Sequence, residues 1–351
     1  MITSLRLQNF RSYTDVSFEF SDSVNILIGP NASGKTNALE GLVYVCRGIG
    51  FRGTDAENIM DSKEWARIDA LTDKSETRAI KFERQGETTK KTILINDKQT
   101  TRMGKTSALP LVLFEPNYLQ QLTTSPEQRR TFLDNIISEI DDQFQKDKRD
   151  YHRTLAQRNR LLKNGGDKIN KTIFAWDIRL SSLGGKLVEK RQKIIDTINK
   201  GVSESYASIA AKKQVISLVY KANLEPGVYA SKMLKKLEKD LPLDMLRGYT
   251  GAGPHRDDIG IEIDGHPIAN FASRGETRTT LLALKIQETD LLEKKTGKKP
   301  LLLLDDVYSE LDGKRRKALT AFVNDYQSFI TTTDADIIAK NFASGVNTIS
   351  L

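Results

Sequence analysis

Residues 24–36 read VNILIGPNASGKT, and no other stretch restricts the fold of this chain so tightly. Val24 to Ile28 is a short apolar run rich in β-branched side chains, the pattern of a strand buried on both faces. Gly29, Gly34, Lys35 and Thr36 complete a G-x-x-x-x-G-K-[ST] sequence directly after it. Each residue type has a task there. The glycines let the backbone bend so that successive N–H groups converge on phosphate oxygens, with Pro30, Asn31, Ala32 and Ser33 forming the rest of the cradle. Lys35 brings a positive charge to the β- and γ-phosphates, and the Thr36 hydroxyl is a ligand for Mg2+. The following TNALEGLVYV places Leu39, Leu42 and Val43 on one helical face, so a helix N-terminus points at the phosphates. A chance glycine-rich turn is the competing explanation, and the strand–loop–helix context disfavours it.

A second stretch, PLLLLDDVYSELD at 300–312, predicts a buried central strand that ends in two carboxylates. Open α/β sheets bind ligands at such strand ends. Asp305 is then the Mg2+ ligand, directly or through water, and Asp306 the group that orients or deprotonates an attacking water, with Lys35 as its catalytic partner. Taken alone, an acidic turn would be the commoner explanation; beside a phosphate loop it is not. FITTTD at 329–334 predicts another buried strand, whose Thr331 to Thr333 either approach the γ-phosphate or simply reflect β-propensity.

These stretches lie roughly 270 residues apart, far for one nucleotide-binding unit, so a large insertion separates them. ASRGETR at 272–278 opens a helix within that span. Ser273 and Glu276 fit a capping box, whereas Gly275 is not needed for one. A Ser-x-Gly turn at a positive helix end also suits a γ-phosphate. From Pro126 to about Lys213 the pattern is helical and highly charged, with breaks expected at 164–168 and at Gly184-Gly185. Its basic run QKDKRDYHRTLAQRNRLLKN at 145–164 is either a solvated helix face or a strip that contacts duplex phosphates. The formal net charge of +8 permits nucleic-acid binding without proving it. One cysteine, Cys46, cannot form an internal disulfide, the start of the chain lacks a signal-like apolar core, and no apolar run reaches the ~20 residues of a membrane span. A cytoplasmic protein without a membrane partner is expected.

A phosphate loop, a Ser-x-Gly helix start and an Asp-Asp strand end together resemble the heads of ABC-type ATPases. The order and spacing of LRLQNFRSYTDVSFEF, GPNASGKTNALEG, VLFEPNYLQQLTTSPEQRRTFLDN, GAGPHRDDI, SRGETRTTLLALK and LLLLDDVYSELDGKRR resemble, nearly end to end, the RecF family of bacterial recombination mediators. That resemblance implies an α/β fold with an ABC-type head built from both chain ends, 1–125 and 246–351, and an inserted α-helical lobe at 126–245. It implies ATP and Mg2+ as cofactors and an ATP-dependent homodimer in which Ser273 and Gly275 act in trans. It also implies double-stranded or gapped DNA, RecR and RecO as partners, and slow ATP hydrolysis that resets a DNA clamp. Arg11, in NFRS, is placed near the nucleotide on the same ground. The chain departs from the family pattern at Arg274 and Glu276, where glutamine is usual, at Asn117 and Tyr118, where an acidic pair is usual, and at Ala32, where a second glycine is common. These departures bear on hydrolysis and closure and leave nucleotide binding intact. His255 and Arg256 in GPHRDD either touch phosphate or belong to a turn before the hairpin IGIEIDGHPIANF. A transport-type ATPase subunit and a DNA-binding module that uses ATP only structurally are the alternatives.

Overall fold

The computed structural model describes residues 1–104, 106–115, 123–164, 169–334, 342 and 345–351. The chain forms two compact units, residues 1–116 with 289–351, and residues 117–288.

The first unit begins with β1 (Ile2–Phe10), β2 (Tyr13–Glu19), β3 (Val24–Ile28) and α1 (Lys35–Arg47). A meander follows: β4 (Trp65–Thr72), β5 (Thr77–Gln85), β6 (Thr88–Ile95) and β7 (Lys98–Thr100), then β8 (Leu111–Phe114). The second unit contains α2 (Pro126–Ile140), α3 (Asp142–Asn164), α4 (Ile169–Asn199), α5 (Val202–Ala210), β9 (Ile216–Lys221), α6 (Tyr229–Lys239) and α7 (Leu241–Arg247). It closes with β10 (Asp258–Ile263), β11 (His266–Pro267), α8 (Ile268–Phe271) and the start of α9 (Arg274–Thr296). The chain then completes the first unit with β12 (Leu301–Asp305), α10 (Gly313–Val323), β13 (Ser328–Thr332) and β14 (Asn347–Ser350).

Two sheets organise the first unit. One is antiparallel, in the order β2-β1-β4-β5-β6-β7; the other is parallel, in the order β14-β3-β13-β12-β8. Helix α1 touches β1, β4 and β5 of the former and β12 and β13 of the latter, which explains why it is buried nearly all round. The close approach to β1 requires Gly41, since a Cβ there would lie 2.8 Å from Leu7 Cδ2. Leu302, Leu303 and Leu304 of β12 are 0% exposed, and each contributes about 2 kcal/mol of apolar burial. The registers set Asp305 beside Thr331 and Thr332 beside Ile28, so β3, β12 and β13 end at one edge of the parallel sheet.

In the second unit α4 runs unbroken through Gly184 and Gly185, against the expected break there. The glycines serve contact instead: a Cβ on Gly184 would meet Met233 Sδ at 2.8 Å, and one on Gly185 would meet Ala230 Cβ at 3.0 Å, where α6 packs. The hairpin β10–β11 turns through Asp264 and Gly265 with φ of 51° and 79°, the left-handed pair of a type I′ turn. The pairing of β10 with β9 along its whole length places Asp258–Ile263 in this second unit, which runs to residue 288. No helix among the described residues is long and apolar enough to cross a membrane. Asn117 and Tyr118 lie outside the described residues.

Candidate functional site

The loop after β3 has the geometry of a phosphate cradle. A Cβ on Gly29 would sit 2.6 Å from Ser33 Oγ and 2.9 Å from the Leu351 carbonyl oxygen. Gly34 has φ 101°, and a Cβ on it would lie 2.7 Å from Tyr13 Oη. Ala32 has φ 67°, so the usual glycine of this position is replaced by an alanine held in the left-handed region at a cost of about 1 kcal/mol. The Lys35 ammonium folds back and donates to the Gly29 and Pro30 carbonyls, both at 2.7 Å. Ser33 Oγ is buried without a hydrogen-bond partner. A buried cation and an orphaned hydroxyl on one small loop suit an anion with several oxygens.

The carboxylates lie beside that loop. Thr36 Oγ1 donates to Asp305 at 2.9–3.0 Å, joining residues 269 apart in sequence. Thr331 Oγ1 donates to Asp305 Oδ1 at 2.8 Å and accepts from the Asp306 N–H at 2.9 Å. Asp306 itself has φ 49°, a strained conformation for a non-glycine residue, and its Oδ1 is buried without a partner. The hydroxyl of Thr36 and the carboxylate of Asp305 are hard oxygen donors of the kind Mg2+ takes, and water and phosphate oxygens would complete the shell of an ion held there. Among the described residues no cluster of three or more His, Cys, Asp or Glu forms a metal cage, and a site completed by phosphate needs none. Thr331 and Thr332 are both buried, and Thr331 is engaged by the Asp305 carboxylate and the Asp306 N–H, which leaves Thr333 as the exposed member of that run.

NFRSY wraps the N-terminal half of α1. Arg11, with φ 50°, pairs through Nε with Glu40 Oε2 at 2.7 Å and donates from Nη2 to the Arg52 carbonyl at 3.0 Å. Asn37 Nδ2 donates to Ser12 Oγ at 2.9 Å. Glu40 is 0% exposed; burial pushes its carboxyl up, and the charge of Arg11 opposes that. The Arg11 guanidinium thus has a buried protein partner one helical turn into α1. Three further residues at the site were not anticipated. Arg52 pairs with Asp305 Oδ2 at 3.1 Å and approaches Glu115 at 3.6 Å, while Glu40 accepts from the Arg52 N–H at 3.3 Å. Only a charged residue amid the apolar α1 pattern hinted at Glu40; nothing local marked Arg52 or Glu115.

Ser273 and Gly275 belong to the second unit. Ser273 Oγ donates to Glu276 at 2.9 Å and accepts from its N–H at 3.3 Å, while the Ser273 N–H donates to the same carboxylate at 3.0 Å. This is the expected capping box, and Ser273 and Arg274 are exposed at its tip.

GPHRDD is the hub of the second unit. Pro254 O accepts from Arg191 of α4 at 2.8 Å, and His255 Nδ1 is hydrogen-bonded to Tyr151 Oη of α3 at 2.6 Å. Asp257, 0% exposed, accepts from Tyr220 at 2.9 Å and Tyr229 at 2.6 Å, and Asp258 pairs with Arg129 of α2 at 2.9 Å. Burial pushes the His255 imidazole down to about 4, so it is neutral at pH 7. Of the two candidates here only Arg256 is exposed, and it stacks over Tyr249 at 5.0 Å.

The basic run of α3 divides by face. Arg158 is fully buried against Asp177 and Asp244, and Lys148 pairs with Asp134. Lys146, Arg149, Arg153, Arg160 and Lys163 are exposed at helical spacing along one side.

A parallel sheet with a phosphate loop and an acidic strand at one edge, flanked by an antiparallel sheet, defines the ABC-type head also found in SMC proteins. The Smc head bound to the C-winged helix domain of ScpA, 15% identical, shares that fold with a TM-score of 0.55 over 97% of this chain and 91% of its own. The model of the RecF/RecN/SMC N terminal domain matches residues 1–348. This chain is 32% identical over 346 residues to the DNA replication and repair protein RecF of Clostridium tetani, covering 96% of this chain and 94% of that protein. It is 34% identical to the RecF of Alkaliphilus oremlandii, covering 95% and 93%. A solved structure of the recombination mediator protein RecF-ATP in the RecFOR pathway superposes with a TM-score of 0.81 at 30% identity, covering 95% of this chain and 92% of that one. The chain belongs to the RecF family.

Proposed function

We propose that this protein binds ATP with Mg2+ at the edge of its parallel sheet, closes as a homodimer around the nucleotide, and in that state holds duplex DNA at gaps during recombinational repair. The observation that carries this reading is the hydrogen bond between Thr36 and Asp305, which brings the two halves of a nucleotide site together. Lys35 and the loop N–H groups hold the phosphates, Thr36 and Asp305 hold the cation, and Asp306 orients the water that attacks the γ-phosphate. Bound Mg2+ neutralises phosphate charge. Ser273 and Gly275 meet the γ-phosphate from a second copy of the chain. Slow hydrolysis then opens the dimer. Family membership supports RecR and RecO as partners and loading of a recombinase as the outcome.

The exposed face of α3 is the DNA contact in this reading. Its bonds go to phosphates, so binding is sequence-independent and falls with salt. The test is retention of gapped duplex with and without ATP·Mg2+, by the wild type and by Lys35→Ala. Retention that requires nucleotide and is lost in Lys35→Ala is expected. Equal retention without nucleotide would remove ATP from the DNA step. Replacing Lys146, Arg149 and Arg153 with glutamine lowers the slope of log affinity against log salt by about 2–3 if α3 lies on DNA, and leaves it unchanged if it does not.

A further inference from the structure

Arg52 stands on the carboxylate assigned above to Mg2+. Its Nη2 donates to Asp305 Oδ2 at 3.1 Å, and its Nε lies 3.6 Å from Glu115. The two carboxylates are 7% and 11% exposed, while the Arg52 side chain is 42% exposed. Two nearly buried carboxylates are therefore both approached by a cation that reaches in from the surface. The segment that carries it is held at its backbone, since the Arg52 N–H donates to Glu40 at 3.3 Å and the Arg52 carbonyl accepts from Arg11 Nη2 at 3.0 Å, so the group free to move is the side chain. Helix α1 ends at Gly48 in the left-handed region, and the exposed loop beyond contains Gly50 and Gly53, the latter at φ 61°. The next fixed point is a 3₁₀ turn at Asp55–Asn58, where Asp55 and Asn58 are both hydrogen-bonded to Tyr44 Oη, at 3.0 Å and 2.6 Å. The Arg52 side chain thus projects from a segment fixed on either side and at its own backbone, with its guanidinium 5.3 Å from the Phe51 ring.

We propose that Arg52 is a monovalent stand-in at the cation site. It neutralises Asp305 and Glu115 while no divalent cation is held, and it must leave Asp305 for the cation to enter. A guanidinium and a divalent cation compete for the charge of the same carboxylate, and the positive charges would repel at that distance. The pairing has two consequences. Without Mg2+, Arg52 keeps a bare carboxylate from repelling the nucleotide phosphates. With Mg2+, displacing Arg52 weakens the apparent grip on the cation. The Arg52 side chain is therefore released from Asp305 only in the loaded state, which ties its position to occupancy of the cation site.

This rests on the nucleotide-site reading, and one binding cycle separates the two. The dissociation constant of a fluorescent ATP analogue is measured in Mg2+ and in EDTA for the wild type, Arg52→Ala and Arg52→Lys, after circular dichroism shows that each is folded. The readout is the ratio of the constant in EDTA to that in Mg2+. Arg52→Ala is expected to raise this ratio about three- to fivefold, because affinity falls without the cation and is maintained or improved with it. Arg52→Lys, which keeps the charge but loses the planar fork, falls between. An unchanged or smaller ratio in Arg52→Ala overturns the stand-in role while leaving the nucleotide site in place. Failure of the wild type to bind the analogue in either buffer overturns the nucleotide site itself.

Discussion

Two regions of this chain concentrate conspicuous polar residues, and they differ in what becomes of the bonds. In GPHRDD of the second unit the polar groups are closed on themselves: Asp257 accepts two tyrosine hydroxyls, Asp258 takes an arginine, and His255 is bonded on Nδ1 and Nε2. At the edge of the parallel sheet the bonds are left open. Ser33 Oγ and Asp306 Oδ1 are buried without partners, Lys35 is folded onto its own loop, and Ala32 and Asp306 occupy strained conformations. Buried polar atoms without partners cost about 1–3 kcal/mol each, and such a cost is tolerated where a ligand later supplies the bonds. Both stretches look like motifs in the sequence. Only the open one leaves buried polar atoms for a ligand to satisfy.

The largest expected effect falls elsewhere in the second unit, on a buried ion network that serves packing and not a ligand. Arg158→Ala leaves Asp177 and Asp244 buried without their cation, and is expected to cost about 3–5 kcal/mol, lowering Tm on the order of 10 °C. Thermal melting checks it; a loss below about 1 kcal/mol would mean that the network is looser than its distances suggest. On the open side the balance reverses. Lys35→Ala is expected to weaken ATP binding at least about 100-fold while shifting apo stability by no more than about 2 kcal/mol. Calorimetric titration paired with a melt reads both quantities, and equal damage to each would erase the contrast.

A pH series sharpens it further. The folded-state pKa of His255, about 4, lies below the ordinary 6.5, so the unfolded chain binds the extra proton first. The stability from neutral His255 is present in full above about pH 6.5 and is lost as pH falls toward about 4. The wild-type Tm should therefore fall more steeply across that window than that of His255→Gln. Parallel curves would detach His255 from acid stability. The smallest effect belongs to Ala32→Gly, which relieves a left-handed alanine at φ 67° and should change stability by no more than about 1 kcal/mol while preserving ATP affinity. Urea melts resolve a shift of that size; a loss of binding would mean that the methyl group shapes the cradle.

What the sequence disclosed and what it hid follow from range. The phosphate loop, the leucine strand ending in Asp305, the Ser273–Glu276 box and the Asp264-Gly265 turn are each set by a few consecutive residues, and all were legible. Arg52 on Asp305 was not, because residues 253 apart are paired by sheet order and not by any local pattern. Gly184 and Gly185 were misread as a break because their partners, Met233 and Ala230, arrive on another helix. The place of β10 in the second unit was hidden for a similar reason, since it is fixed by pairing with β9, about 40 residues earlier in the chain. Alternating burial predicts that a strand exists, but not which neighbour it takes.

The most direct test of the account is sedimentation of the Asp306→Asn protein with and without ATP·Mg2+, beside a double variant that adds Lys35→Ala. A shift from monomer to dimer on addition of ATP·Mg2+, absent in the double variant, is the predicted result. A protein that binds ATP yet keeps one sedimentation coefficient would contradict nucleotide-driven closure and leave Ser273 and Gly275 as no more than the cap of a helix.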